Sequence, residues 1–257
     1  MIDVTVKNGV KVITFNTPRK KNAINKDDYI KVADELNSAA KDDSIKVVVL
    51  TGAGDIYSSG NDLSSLMRDA SSTENVEDLL KNAIYNCMGN MTRAFYTFPK
   101  ILIAVVNGPA IGITATTLAL CDVIYCSKTA YFYTPFTKLG LCSEGCSSYT
   151  FPRILGTSKA SEMLLMNHKM SAEEALRFNF VSEIYDPRDS AKVWKKIEEL
   201  AELPLQSIKT TKALVKKYDL KVLEEVNNME AKELIERFTS EEAMEAIINF
   251  NTKKHKL

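Results

Sequence analysis

The sequence predicts an α/β fold, and three observations carry that expectation. β-branched apolar runs of strand length recur along the first 186 residues. The runs at 47–50 and 101–106 each lead into a glycine loop and a helix start. From 158 onward the chain is mostly amphipathic helix, and Asp186-Pro187 marks a break. A core of residues 1–186 followed by a helical region of 187–257 is therefore expected.

The elements follow in order. Residues 4–6 and 10–15 alternate around Lys7-Asn8-Gly9, a hairpin with an Asn-Gly turn. The stretch 16–24, with Arg19, Lys20 and Lys21, reads as a solvated charged loop. Asn25 caps a helix to about residue 40, with Tyr29, Ala33, Leu36 and Ala40 on one face. A strand at 45–50 enters the loop Thr51-Gly52-Ala53-Gly54-Asp55-Ile56-Tyr57-Ser58-Ser59-Gly60-Asn61-Asp62-Leu63. Residues 64–73 read as a polar, mobile segment. A long helix is expected over 74–98, where Val76, Leu80, Ala83, Cys87, Met91, Ala94 and Phe98 keep helical spacing. Pro99 ends it. The buried strand 101–106 enters Asn107-Gly108-Pro109-Ala110-Ile111-Gly112-Ile113, whose glycines and proline force a turn into a small-residue helix. The first N–H groups of such a helix lack internal partners and suit an anion. Short strands follow at 123–126, 130–133 and 181–184, and Ser171-Ala172-Glu173-Glu174 is a capping box. Helices near 190–201, 205–216, 221–237 and 240–253 present charged faces to solvent and apolar stripes for packing.

Composition narrows the function classes. At 257 residues the chain can bury a substantial core. Lys and Arg number 33, as do Asp and Glu, so no bulk charge favours nucleic acid, and a phosphorylated ligand would need a local basic patch. No apolar run approaches the ~20 residues of a membrane span, and Met1-Ile2-Asp3 lacks the form of a signal peptide. The five cysteines, an odd count, read as reduced thiols. Cys142 and Cys146 are four apart without a second pair, and His168 and His255 are the sole histidines, so packing is favoured over metal binding. The same scarcity of histidine disfavours a Ser–His or Cys–His nucleophile.

Each glycine loop alone reads equally well as an ordinary strand-to-helix turn. Together, two such loops can aim two backbone N–H groups at one oxygen, as an oxyanion hole requires. Glu144 sits in an otherwise uncharged stretch from 139 to 151. From the residues alone it reads first as a helix N-terminal carboxylate facing the dipole, and second as a base whose pKa is raised by apolar neighbours.

The residues Ser58-Ser59-Gly60-Asn61-Asp62-Leu63, Asn107 to Ile113, Thr134-Pro135-Phe136 with Leu139-Gly140, and Ser143-Glu144-Gly145-Cys146-Ser147-Ser148-Tyr149-Thr150-Phe151-Pro152 settle the weighing. On these motifs, over nearly its whole length, the chain resembles the crotonase (enoyl-CoA hydratase/isomerase) superfamily, and within it the peroxisomal Δ3,Δ2-enoyl-CoA isomerases. The resemblance implies a ββα spiral core with a C-terminal helical trimerisation region. It implies a 3-enoyl-CoA substrate, isomerised to the 2-trans-enoyl thioester, with Glu144 as the single proton-shuttling base and the amides of Asn61 and Ile113 as the oxyanion hole. Ser58, Ser59, Gly60, Asn61, Asp62, Gly112, Ile113 and Phe136 are the implied substrate contacts, with Asp62 otherwise structural and Phe136 near the acyl chain. Arg19, Lys20 and Lys21 would supply the basic patch for the CoA phosphates. No cofactor is implied, since CoA is part of the substrate, and the partners are further copies in a homotrimer or a dimer of trimers. Thr116 and Phe136 stand where hydratases carry glutamates, so water addition is not expected, and dienoyl-CoA isomerisation lacks its extra acids. His255-Lys256-Leu257 is close to a peroxisomal Ser-Lys-Leu signal for an import receptor; without import the chain would be cytoplasmic or mitochondrial. The other reading is a non-catalytic CoA-binding or interaction module of the chromodomain-Y-like type, against which the glutamate at 144 speaks.

Overall fold

The computed structural model describes residues 1–254; His255, Lys256 and Leu257, read above as a targeting signal, lie outside the described residues. Strands β1 (Ile2–Lys7) and β2 (Val10–Phe15) form the expected hairpin, Lys7 opposite Val10. Asn8 and Gly9 both have positive φ, 50° and 77°, as a tight right-twisted hairpin turn demands. Helix α1 (Lys26–Lys41) starts at a capping box made by Asn25 and Asp28. Next come β3 (Val47–Gly52), α2 (Leu63–Ser71) and α3 (Val76–Lys81), then a wide π-helical stretch, Asn82–Gly89, and α4 (Asn90–Thr97). Strand β4 (Ile101–Val106) and the two-residue β5 (Ala110–Ile111) lead to the single turn α5 (Ile113–Thr116). Strands β6 (Val123–Ser127) and β7 (Tyr131–Tyr133) precede α6 (Ser147–Leu155) and α7 (Thr157–Leu164). Then follow β8 (Lys169–Ser171), α8 (Ala172–Arg177) and β9 (Glu183–Tyr185). The helices α9 (Ser190–Leu200), α10 (Leu205–Lys216), α11 (Asp219–Phe238) and α12 (Glu241–Lys254) complete the order.

The main sheet runs β1-β2-β3-β4-β6-β9, parallel from β2 onward. Its central strands β3 and β4 are buried on both faces, so they read as continuous apolar runs in the sequence, whereas the edge strand β1 is half-buried to exposed. Alternate residues point to opposite sides. Ile13, Val48, Leu50, Leu102, Ala104 and Val106 join the large core with α1 and α4. Val10, Val47, Val49, Ile103 and Val105 form a second core with Val193 and Ile197 of α9. A small sheet, β5-β7-β8, stands beside the main one.

Three local departures from the sequence reading have physical causes. The segment 64–73, expected to be irregular, is largely the helix α2. The Asp62 carboxylate caps it, accepting the Ser65 N–H at 3.1 Å. Leu63, Leu66, Met67 and Ala70 give it an i, i+3, i+4, i+7 apolar side, which the serines around them obscure. The helix expected over 74–98 is helical, but its middle widens into the π stretch. Strand β8, which the sequence reading passed over, pairs antiparallel with β7 through Phe132 opposite Met170. Among the described residues no helix is long and apolar enough to cross a membrane.

Candidate active site

Two loops meet at the carboxyl ends of β3 and β4. Buried amides hold them in place. Asn107 Oδ1 accepts the Gly52 N–H at 3.0 Å, and its Nδ2 donates to Gly54 O at 2.6 Å. Asn22, fully buried although it lies in the charged loop, donates to Ala53 O at 2.9 Å and Ile56 O at 2.7 Å. The loops are then joined directly, Tyr57 N–H donating to Pro109 O and Ile111 N–H to Ser58 O. Glycine is required at two of the crossings. A Cβ on Gly108 would lie 1.9 Å from Asp55 O, and one on Gly60, at φ 82°, would lie 2.5 Å from Ile111 O.

This clasp sets the direction of two amides. Ile24 donates to Gly60 O at 2.9 Å and accepts the Asp62 N–H at 2.8 Å, bracketing Asn61 in a parallel bridge. The N–H of Asn61 therefore points to the opposite side. Gly112, at φ 61°, turns the chain into α5, and its carbonyl takes the N–H groups of Ala115 and Thr116. Ile113 opens the helix with its N–H outside this ladder.

Glu144 faces the Ile113 amide and borders the same cavities as Asn61. Its side chain is buried, and burial is the main cause lifting its pKa to about 8. The carboxylate of Glu230 on α11 pushes in the same direction, while the Ile113 N–H facing the Glu144 carboxylate opposes both. Glu144 lies at the junction of two cavities of about 440 and 290 Å³, and Asn61, Asp62 and Phe238 border both as well. The larger cavity carries Lys20, Lys21 and Arg68 at its margin, with Gly112 and Phe136 inside. The smaller one is walled by Tyr29, Ile84, Met88 and Leu234. An apolar groove of about 340 Å³ continues between α2 and α12, sharing Leu66 and Phe238 with the smaller cavity.

The candidate residues do not all fall on a cavity wall. Asn61, Asp62, Ser59, Gly112 and Phe136 border the larger cavity. Phe136, placed near the acyl chain by the sequence reading, is on the wall beside Lys20 and Lys21 rather than in the smaller cavity. Ser58 is fully buried and borders neither; its hydroxyl donates to Asn22 O at 2.7 Å and accepts the Gly60 N–H at 3.1 Å. Gly60 is the hinge of the same loop and Ile113 the start of α5, both defined by backbone rather than side chain. Asp62 is occupied as the α2 cap and lies 3.4 Å from Lys20 Nζ. Thr116 is fully buried, donating to Ile113 O at 3.1 Å, and a Cβ on Gly145 would meet its Oγ1 at 2.4 Å. No room for a longer side chain exists at 116 without moving the turn that carries Glu144. Of Arg19, Lys20 and Lys21, the last two border the cavity. Arg68, Tyr29, Phe238 and Glu230 were not singled out from the sequence; Tyr29 alone had been marked, as part of an apolar helix face.

Residues 5–256 match the family model described as enoyl-CoA hydratase/isomerase. The chain is 43% identical over 255 residues to human "Enoyl-CoA delta isomerase 2", covering 99% of this chain and 64% of that protein. It is 39% identical over 254 residues to mouse "Enoyl-CoA delta isomerase 3, peroxisomal", covering 98% of this chain and 78% of that protein. The chain thus spans just under two thirds of the human relative's length. A crystal structure of an enoyl-CoA hydratase/isomerase from Pseudoalteromonas atlantica T6c superposes with a TM-score of 0.87 at 32% identity, covering 98% of this chain and 97% of that one.

Proposed function

The chain belongs to the enoyl-CoA hydratase/isomerase family, and from that premise we propose that it is a Δ3,Δ2-enoyl-CoA isomerase of fatty-acid β-oxidation. It would convert 3-cis- or 3-trans-enoyl-CoA to the 2-trans-enoyl thioester. One observation carries this reading: Glu144 is, among the described residues, the buried carboxylate that borders both cavities, with the Ile113 amide facing it, and by the family resemblance Thr116 stands where a hydratase would carry a second acid. The names of the human and mouse relatives support it.

In this reading the thioester oxygen lies between the N–H groups of Asn61 and Ile113. Glu144 removes a proton from C2, and the electron pair moves through the carbonyl onto that oxygen. The two amides stabilise the resulting dienolate. The protonated Glu144 then delivers its proton to C4, the double bond settles between C2 and C3, and the carboxylate is restored. No cofactor is needed on this route. In the free protein the Ile113 N–H faces the Glu144 carboxylate, so a thioester oxygen that takes this N–H also removes the one influence lowering the base's pKa. Substrate binding would thereby strengthen the base it needs. Ser59, Asp62, Gly112 and Phe136 border the thioester end, Lys20, Lys21 and Arg68 meet the CoA phosphates, and the acyl chain follows the smaller cavity. The protein would act in the peroxisome, as the mouse relative's name suggests, with His255-Lys256-Leu257 read by an import receptor.

The test is formation of conjugated 2-enoyl product from trans-3-hexenoyl-CoA. Glu144→Ala is expected to lower kcat by about 10²–10⁴-fold with little change in CoA-ester affinity. Turnover retained in the variant would remove Glu144 from the mechanism. Binding of CoA esters without turnover by the wild type would favour the chromodomain-Y-like binding module instead.

A further inference from the structure

The catalytic turn is held from a distance by a residue of the C-terminal helices. We propose that Glu230, on α11, is a positioning residue for Glu144: its carboxylate accepts two backbone N–H groups of the turn that carries the base, and so couples the base to α11. The proposal rests on the reading of Glu144 as the base.

Glu230 Oε2 accepts the Cys146 N–H at 2.6 Å and Oε1 accepts the Ser148 N–H at 2.8 Å. Both carboxylate oxygens are thus spent on the stretch immediately after Glu144. That stretch is strained. Gly145 and Cys146 are consecutive left-handed residues, at φ 67° and 63°. Glycine adopts this conformation freely; a cysteine does so at a cost. The reversal turns the N–H groups of Cys146 and Ser148 to one side, which suits an anion. Glu230 fills that place as an internal ligand. It is 5% exposed and forms no salt bridge among the described residues, so the two N–H groups, with the Ser148 hydroxyl, offset the cost of its burial.

The anchored turn also touches the other half of the site. A Cβ on Gly145 would lie 2.4 Å from Thr116 Oγ1 and 2.9 Å from Ile113 Cδ1, so Gly145 rests directly on α5. A turn that slipped would carry Glu144 away from the Ile113 amide. The Ser147 hydroxyl, donating to Glu144 O at 2.7 Å, closes the turn on itself but does not tie it to the rest of the fold. The Cys146 thiol reaches Leu223 O on α11 at 3.6 Å, a weak bond, so the two charge-assisted bonds of Glu230 are the stronger tie.

An electrical consequence accompanies the mechanical one. The groups facing Glu144 are Glu230 from α11, Tyr29 from α1, Cys142 from its own segment and the Ile113 N–H from α5. Those facing Glu230 are Glu144, the thiols of Cys142 and Cys146, the Ser148 hydroxyl and its two N–H donors; burial raises its own pKa, and the hydroxyl and N–H donors oppose that rise. No cation is among the causes acting on either carboxylate. The negative charge on Glu230 disfavours ionisation of Glu144 and raises its pKa. Removing that charge must lower it. A base that has to be ionised to act then shows its acid limb at lower pH.

The experiment compares wild type, Glu230→Gln and, as a control on the exposed side of the same helix, Glu225→Gln, in kcat and KM for trans-3-hexenoyl-CoA across pH. In Glu230→Gln the acid limb of kcat/KM is expected to move toward acid by roughly half a unit or more. Its plateau kcat should fall at least about tenfold, with KM within about twofold. Glu225→Gln should match wild type. If Glu230→Gln folds poorly by circular dichroism, the comparison is made with Glu230→Asp, which keeps the charge but shortens its reach to the two N–H groups. There kcat should still fall at least about tenfold while the acid limb stays near that of wild type, and a wild-type kcat would overturn the proposal. A Glu230→Gln enzyme with the wild-type limb and kcat overturns the proposal, as does a loss confined to KM. An inactive wild type would instead overturn the isomerase reading.

Discussion

Burial raises the pKa of Glu144 to about 8. In the proposed reaction it is the ionised form that takes the C2 proton. kcat/KM is therefore expected to rise with pH through the neutral range and level off above about 8, which a pH–rate profile checks. The oxyanion amide is tested separately. Ile113→Pro deletes the N–H, whereas Ile113→Val keeps it and trims the side chain. The expected result is a kcat loss of about 10²–10³-fold for proline and near wild-type turnover for valine; equal effects would make Ile113 a packing residue. At this scale, legibility depended on sequence neighbours. Glu144 stood out because its stretch is uncharged, and the resemblance then assigned its role. Glu230 did not stand out, because it shares α11 with Glu224, Glu225, Glu233 and Glu236, and nothing local tells the buried one from the others. Asn22 was hidden in the same way by the lysines before it.

The elements were readable wherever periodicity or caps are local. The hairpin, the Asn25 cap of α1, the capping box of α8, and the strands β3, β4 and β6 follow directly from such signals. Helix α2 did not, because its apolar side faces a groove it shares with α12, almost two hundred residues away. Its start depends on Asp62, a residue that also borders both cavities. Asp62→Ala is expected to destabilise the helix start by about 1 kcal/mol. The effect should appear as a higher KM that grows with acyl length, measured over a series from 3-hexenoyl- to 3-dodecenoyl-CoA. An unchanged length dependence would separate α2 from the acyl path.

At the scale of the whole molecule, the family's fold is the one observed, and the C-terminal helices divide between two tasks. α9 closes the underside of the sheet, while α11 reaches the turn that carries Glu144. α10 buries no residue in a single copy, and Leu214, Val215 and Tyr218 are 66%, 68% and 82% exposed. The expected homotrimer, alone or paired, would cover apolar surface of this kind. Light scattering at micromolar concentration should give three or six times the 28.7 kDa of one chain, and Leu214→Glu with Val215→Glu should lower that mass. A monomeric wild type would contradict the assembly. Self-association was beyond the reach of periodicity, since a stripe that packs on a neighbouring copy has the same spacing as one that packs at home.

The wide stretch Asn82–Gly89 supplies Asn82, Ala83, Ile84 and Met88 to the smaller cavity. A π turn is geometrically an α-helix with surplus chain. Removing one residue there, at the exposed Tyr85, would restore the ordinary ladder and leave α3 and α4 close to their present faces, because the wide turns already absorb the surplus residue. The change would fall on the wide stretch itself, drawing in the backbone that carries Ile84 and Met88 along the cavity wall, with neither side chain altered in size. The contour of this cavity is thus written partly as a count of residues, and related chains can differ in its shape through a single insertion or deletion that leaves Glu144 untouched.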